Sequence, residues 1–302
     1  MCEINKIHLS KLNRAYRKSQ LVPFVGAGLS APFGMPGWGT LIHDICNDFN
    51  HTISEAKKDE INKHIENFQY LEAVEKMKQL GVSEEDLRCS ICTAIQQRKE
   101  SEKEEPDNIY KDLAKMNCVR YLTTNYDNYL SDYIEMAPYE ITHLYDEFAN
   151  EWDDPIYYNM VYNLHGDYKR PSSIILSKDS YNNLYYDNQK FRKILEHFRE
   201  RYTLLFIGIS LDDEYIQEVL KVSRDKLKAR HYILLSNISP KKQIQLEKRY
   251  SITILEYKST NGNHTEGIRK ILNEIMKVSS ELENQKQYYQ STNTNNFYGT
   301  VG

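Results

Sequence analysis

The sequence predicts an α/β protein, a doubly wound parallel sheet of the Rossmann-like kind carrying a helical insertion, and three observations lead there. Short, almost wholly apolar runs recur along the chain, LVPFV (21–25) and TLLFIGIS (203–210) being the clearest. Strands covered on both faces read this way, because neither side meets water. Segments with helical periodicity alternate with such runs through the second half of the chain, the pattern left by crossover helices between parallel strands. Glycine or polar residues then stop the runs abruptly, as Gly26-Ala27-Gly28 stops LVPFV.

Residues 1–20 place Ile4, Ile7, Leu9 and Leu12 among basic residues, a short amphipathic helix. After the first strand and its glycine turn, Trp38, Leu41, Ile42, Ile45 and Phe49 share one helical face. Residues 51–117 are rich in Lys, Glu and Gln and are punctuated by Ile61, Ile65, Phe68, Leu71, Val74 and Met77. They read as several helices forming an insertion or cap over about 50–117. The run RKESEKEEP (98–106) reads as a solvated connection. CVRYLTTN (118–125), MVYNLHG (160–166) and SIILS (173–177) read as strands, followed by a helix with Phe191, Ile194, Leu195 and Phe198 on one face. TLLFIGIS precedes a helix bearing Tyr215, Ile216, Val219 and Leu220. HYILLSN (231–237), a helix around 240–249, ITILEY (252–257) and a last helix with Ile268, Ile271, Leu272, Ile275 and Leu282 complete the series. One domain is expected over 1–285. The polar stretch 286–302 reads as a tail or linker leading to a missing C-terminal region.

Composition excludes several classes. Lys+Arg 39 against Asp+Glu 43 gives a net charge of −4, which argues against bulk electrostatic capture of nucleic acid. The 24 tyrosines, Tyr157, Tyr158, Tyr185 and Tyr186 among them, lack the interleaved basic groove of a single-strand binder and read as packing. No window approaches the roughly 18 apolar residues of a membrane span, and the N-terminus lacks a signal-peptide core. Five scattered cysteines read as reduced thiols in a cytoplasm. Cys89 and Cys92 form a CxxC without the further donors zinc requires, one thiol facing the core instead, so no metal is expected.

In a parallel α/β sheet ligands bind beyond the carboxyl ends of the strands. Four predicted strands end in residues suited to a nucleotide: VGAGLS (25–30), TTNYD (123–127), LHGD (164–167) and GISLDD (208–213). Without Cβ atoms at Gly26 and Gly28, a backbone can approach a pyrophosphate and present amides to it. The glycine turn alone is a weak signal, since G-x-G-x-x-G spacing and a following ribose-binding acid are absent.

Together, in this order, the four motifs resemble the sirtuin superfamily over about residues 20–280. The nearer resemblance is to the sirtuin-like NAD hydrolase domains of bacterial antiphage systems. Deacylase sirtuins carry a four-cysteine zinc module after the His-Gly, and no cysteine follows Cys118 here. GMPGW (34–38) stands where deacylases continue into Pro-Asp-Phe-Arg, and TTNYD replaces their usual TQNID.

The resemblance implies NAD as the substrate, cleaved to nicotinamide and ADP-ribose. It assigns Asn125 to the nicotinamide ribose, His165 to proton transfer and Asp127 to orienting the site or stabilising positive charge. Gly26, Ala27, Gly28, Ser30, Thr123, Gly208, Ser210 and Asp213 are the expected cofactor-binding residues. Asp127 and Asp213 also suit helix capping, and Ser30 a plain turn. A cytoplasmic antiphage effector restrained by oligomerisation or by a sensor partner is implied. A protein deacylase and a non-catalytic module sensing NAD or ADP-ribose are the alternatives.

Overall fold

The computed structural model describes residues 3–134, 142–143, 160–210, 231–260 and 262–277. Seven parallel strands form one sheet: β1 (Leu21–Val25), β2 (Arg120–Thr123), β3 (Thr142–His143), β4 (Met160–Asn163), β5 (Thr203–Ile207), β6 (His231–Ser236) and β7 (Ile252–Tyr257). Their spatial order is β3-β4-β2-β1-β5-β6-β7. The chain builds outward from β1 to one side, then returns to β5 on the other. The β1/β5 boundary is therefore the point where the strand order reverses.

Alternation within each strand splits the interior into two layers. Leu21, Val25, Leu205, Ile207 and Leu234 point into one core. Val22, Phe24, Leu204, Phe206 and Ile233 point into the other. Phe24 and Phe206 meet across the β1–β5 ladder with ring centroids 4.7 Å apart. At roughly 1.5–3 kcal/mol per buried large apolar side chain, this double burial is what makes continuous apolar strands worth keeping. Pro23 sits in a central strand, an unfavourable place for a residue without an N–H. Its neighbours show how it fits. Gly26 N–H bonds Ile207 on the β5 side, whereas Val25 C=O accepts from Thr124 on the β2 side. The missing N–H of Pro23 thus faces β2, whose pairing with β1 begins only at Phe24.

Helices α1 (Glu3–Arg17), α2 (Trp38–Asp48), α3 (Glu55–Glu66), α4 (Tyr70–Gln79), α5 (Glu84–Ser101), α6 (Tyr110–Met116) and α7 (Tyr129–Ile134) contribute to the first core. A short α8 (Lys178–Asn182), a π turn (Asn183–Asp187) and α9 (Gln189–Arg201) cover the second, joined by α10 (Pro240–Tyr250). The last described helix, α11 (Thr265–Met276), returns to the first face. There Asn13 of α1 donates to the Ile275 carbonyl at 2.6 Å.

The structure corrects two expectations. SIILS (173–177) is not a strand: Pro171–Ser173 form a 3-10 turn, and Ile174, Ile175 and Leu176 are buried without joining the sheet. Their backbone groups find partners elsewhere, Ile175 N–H on the His165 carbonyl and the Ile175 carbonyl on the Tyr126 hydroxyl. Burial, not strand pairing, is what that apolar run signalled, and the seventh strand is the two-residue β3. Second, α5 runs on to Ser101, into the charged stretch read as a connection. Lys, Arg and Glu are good helix formers, and Arg98 and Lys99 are anchored on Asp44 and Asp132. Of the two CxxC thiols, Cys92 is buried and Cys89 exposed. The helix expected to bear Tyr215, Ile216, Val219 and Leu220 lies outside the described residues, as do Leu282, Tyr157, Tyr158 and the tail. No helix among the described residues is long and apolar enough to cross a membrane.

Candidate active site

A cavity of about 980 Å³ opens at the carboxyl edge of the sheet, at the β1/β5 reversal. Ligands of open α/β sheets bind at such a reversal. Gly26, Ala27 and Gly28 line it from β1, Asn125 and Asp127 from β2, and Gly208 and Ser210 from β5. The glycines act first on each other. A Cβ on Gly26 would lie 2.7 Å from the Gly208 carbonyl oxygen, and one on Gly28 would lie 2.9 Å from it. Gly208 itself holds a left-handed φ of 69°, and a Cβ there would meet the Leu29 nitrogen at 2.8 Å. The two loops therefore touch backbone to backbone, sealed by Gly28 N–H donating to the Gly208 carbonyl at 2.9 Å. The amides of Gly26, Gly28, Leu29 and Ser30 are all engaged in this turn. The Gly26 and Gly28 amides bond Ile207 and Gly208 on the β5 side, and those of Leu29 and Ser30 bond within the turn.

Behind the wall lies a buried polar cluster. Ser30 is fully enclosed, and its hydroxyl donates to Asp127 Oδ2 at 2.8 Å. The Tyr110 hydroxyl lies 2.6 Å from the same Ser30 oxygen. Asn125 Nδ2 donates to Ser30 Oγ at 3.2 Å and to Tyr110 Oη at 3.3 Å. Asp127 Oδ1 accepts the Tyr129 amide at 3.2 Å, capping the start of α7. Burial pushes the Asp127 carboxyl above its ordinary range, against the lowering effect of these two hydrogen bonds. Burial likewise raises the Tyr110 phenol well above its usual value, so it keeps its proton. Asn125 Oδ1 is buried and has no hydrogen-bond partner in this structure. A buried amide oxygen left unpaired costs about 1–3 kcal/mol, and here it belongs to a residue that lines the cavity.

Other sequence-derived candidates take different places. Thr123 does not line the cavity; its hydroxyl donates to the Val25 carbonyl at 3.0 Å and accepts the Asn125 amide at 3.0 Å, fastening β2 to β1. Ser30 reaches the site only through Asn125 and Asp127. His165, expected to face the amide, is 1% exposed and is not among the cavity-lining residues. Its Nε2 lies 2.7 Å from the Tyr185 hydroxyl, and burial pushes its pKa down to about 3. Asp213 falls outside the described residues. Sequence reasoning missed further lining residues: Asn237, Ser239 and Lys242 after β6, Trp38 at the start of α2 and Tyr70 from the helical cap. The segment SNISP (236–240) was the available signal, since Ser239 caps α10 by accepting the Lys242 amide and Pro240 begins that helix. Among the described residues no group of His, Cys, Asp or Glu is arranged to hold a metal ion.

A seven-stranded parallel sheet with its cavity at the strand-order reversal defines a Rossmann-like α/β protein. Residues 119–255 match the family model described as SIR2-like domain. It is similar to proteins named NAD(+) hydrolase ThsA. That of Acinetobacter baumannii is 23% identical over 241 residues, 78% of this chain and 46% of the relative. That of Enterococcus faecium is 23% identical over 296 residues, 95% of this chain and 56% of the relative. That of Bacillus cereus is 23% identical over 242 residues, 78% of this chain and 47% of the relative. The chain spans about half the length of the curated relatives it matches.

Proposed function

We propose that this chain hydrolyses the nicotinamide–ribose bond of NAD+, giving nicotinamide and ADP-ribose. The observation that carries the reading is a cavity large enough for a dinucleotide, lined by Asn125, whose buried Oδ1 has no hydrogen-bond partner. Similarity to proteins named NAD(+) hydrolase supports it.

Nicotinamide is a cationic leaving group, so its departure leaves an oxocarbenium-like ribose; the protein's task is positioning and electrostatics. Asn125 Oδ1 accepts a hydrogen bond from a ribose hydroxyl or from the attacking water. Asp127, 7% exposed and two residues on, supplies negative charge as positive charge develops on the sugar. Resemblance gives His165 the role of base. Its neutral imidazole is the form able to take a proton, although Tyr185 holds Nε2 in this arrangement. Gly26, Ala27, Gly28, Gly208 and Ser210 would meet the phosphates and riboses along the floor, with Lys242 a cation in the lining.

In this reading the protein is an antiphage effector in the bacterial cytoplasm, depleting NAD once infection is sensed and restrained by oligomerisation or a sensor. The test is product analysis of the full chain incubated with NAD. Equimolar nicotinamide and ADP-ribose without any acyl acceptor supports the proposal. Cleavage only with an acetylated peptide would favour a deacylase, and tight binding without cleavage a sensing module.

A further inference from the structure

We propose that Tyr110, contributed by α6 at the end of the helical cap, is a positioning residue that fixes which way the Asn125 amide faces. As a contribution to catalysis this rests on the hydrolase reading above.

The Ser30 hydroxyl has one hydrogen and gives it to Asp127. The 2.6 Å contact between Ser30 and Tyr110 therefore uses the Tyr110 hydrogen. Both hydroxyls now present only lone pairs to Asn125, and both accept from its Nδ2. Were the amide flipped, its carbonyl oxygen would face two oxygens that have no hydrogen left to offer. The chain of donors thus runs in one direction, from Asn125 through Tyr110 and Ser30 to the carboxylate, and it leaves Oδ1 as the buried amide atom without a partner.

Tyr110 is itself immobilised. Its ring is wholly buried and stacks on Tyr133 with centroids 5.8 Å apart and planes 12° apart. Phe33, from the turn after the glycine loop, packs on it at 5.9 Å. Two residues along α6, Asp112 accepts from Arg269 Nε of α11 at 2.8 Å, and Arg269 also donates to the Asn108 carbonyl before α6. The cap helix that carries the phenol is therefore clamped to the core from outside the site. The ligand class that would use this unpaired carbonyl oxygen is a hydroxyl donor, a ribose hydroxyl or a water, and not an anion.

The variant that tests this is Tyr110→Phe, which keeps the ring stack and removes one oxygen. Side-chain amide NMR of Asn125 in the unliganded full chain should show hydrogen exchange at least tenfold faster in the variant. With NAD, kcat should fall about tenfold while KM stays within twofold. Ser30→Ala should do the same, and the double variant should lose no more than the larger single effect, since both act on one amide. An unchanged Asn125 amide, or equal losses in kcat and in thermal stability with additive singles, would overturn the proposal. A wild type that releases no nicotinamide counts against the hydrolase reading alone, and the NMR comparison then decides the positioning role by itself.

Discussion

His165 Nε2 and the Tyr185 hydroxyl lie 2.7 Å apart, and Tyr185 belongs to a π turn packed into the second core, on the side of the sheet away from the helical cap. Tyr185 also stacks on Tyr181 with ring centroids 4.3 Å apart. Removing the phenol oxygen leaves a buried imidazole nitrogen without this partner. Tyr185→Phe should therefore lower unfolding free energy by about 1–3 kcal/mol in urea titration. His165→Ala should cut nicotinamide release at least a hundredfold if the imidazole moves the proton, the usual scale of general base catalysis being about 10²–10⁴. Retention of full activity by His165→Ala would confine this residue to structure.

The same burial gives stability a pH dependence. His165 and His231 are held neutral in the fold, with pKa values pushed down to about 3 and about 4, against an ordinary 6.5. For His231 the causes are burial first and Arg199 second. An unfolded chain binds protons at both as pH falls below 6.5, and the folded chain does not. Stability is thus complete above that pH and declines on acidification, by about 1.4 kcal/mol per pH unit for each group. The raised Asp127 carboxyl opposes this with one group against two. Denaturant midpoints at pH 7 and pH 5 should show the decline, and His231→Gln should reduce its slope.

Two glycines separate a general backbone penalty from the contact that shapes the cavity. Gly208 and Gly262 both have left-handed φ, 69° and 77°, but a Cβ at Gly262 would meet nothing within 4 Å. Gly262→Ala should cost only about 1 kcal/mol, the general left-handed penalty. Gly208→Ala must additionally push Leu29 and the glycine turn away, so both stability and NAD affinity should fall further. Calorimetric NAD binding that is equal in the two variants would dissociate the loop contact from the ligand.

Arg269 joins Asp107, Asn108 and Asp112 to α11. Asp112 has a side chain only 4% exposed, whereas that of Asp107 is 67% exposed. Arg269→Ala leaves a buried carboxylate short of its closest cation and should cost roughly 1–3 kcal/mol. Asp107→Ala removes an exposed partner and should cost under about 1 kcal/mol. Comparing the two midpoints in denaturant measures the difference.

Much of the architecture was legible because double burial writes itself into composition: LVPFV, TLLFI and ITILEY could be little else than interior strands. SIILS misled because a buried irregular segment has the same apolar signature, and only the partners of its backbone, His165 and Tyr126, distinguish the two. β3 was illegible, being two residues long and polar. In the site, motif spacing located the glycine turn and Asn125, because a turn and its following polar residue are local in sequence. Tyr110 lies far from any motif and reaches the site only through helix packing, whereas Lys242 follows SNISP, whose capping serine was a local signal. Ser30 and Thr123 were read as ligand contacts; side chains at strand ends can equally turn inward to fasten neighbouring loops, and no periodicity separates the two.

Breaking the nicotinamide–ribose bond is expected to need the unpaired amide oxygen of Asn125. Nicotinamide release by the full wild-type chain, compared with Asn125→Ala at NAD concentrations that saturate both by calorimetry, tests it most directly. Turnover in the wild type and a loss of at least a hundredfold in the variant, with NAD still bound, is the predicted result. Equal turnover in the two proteins would contradict it.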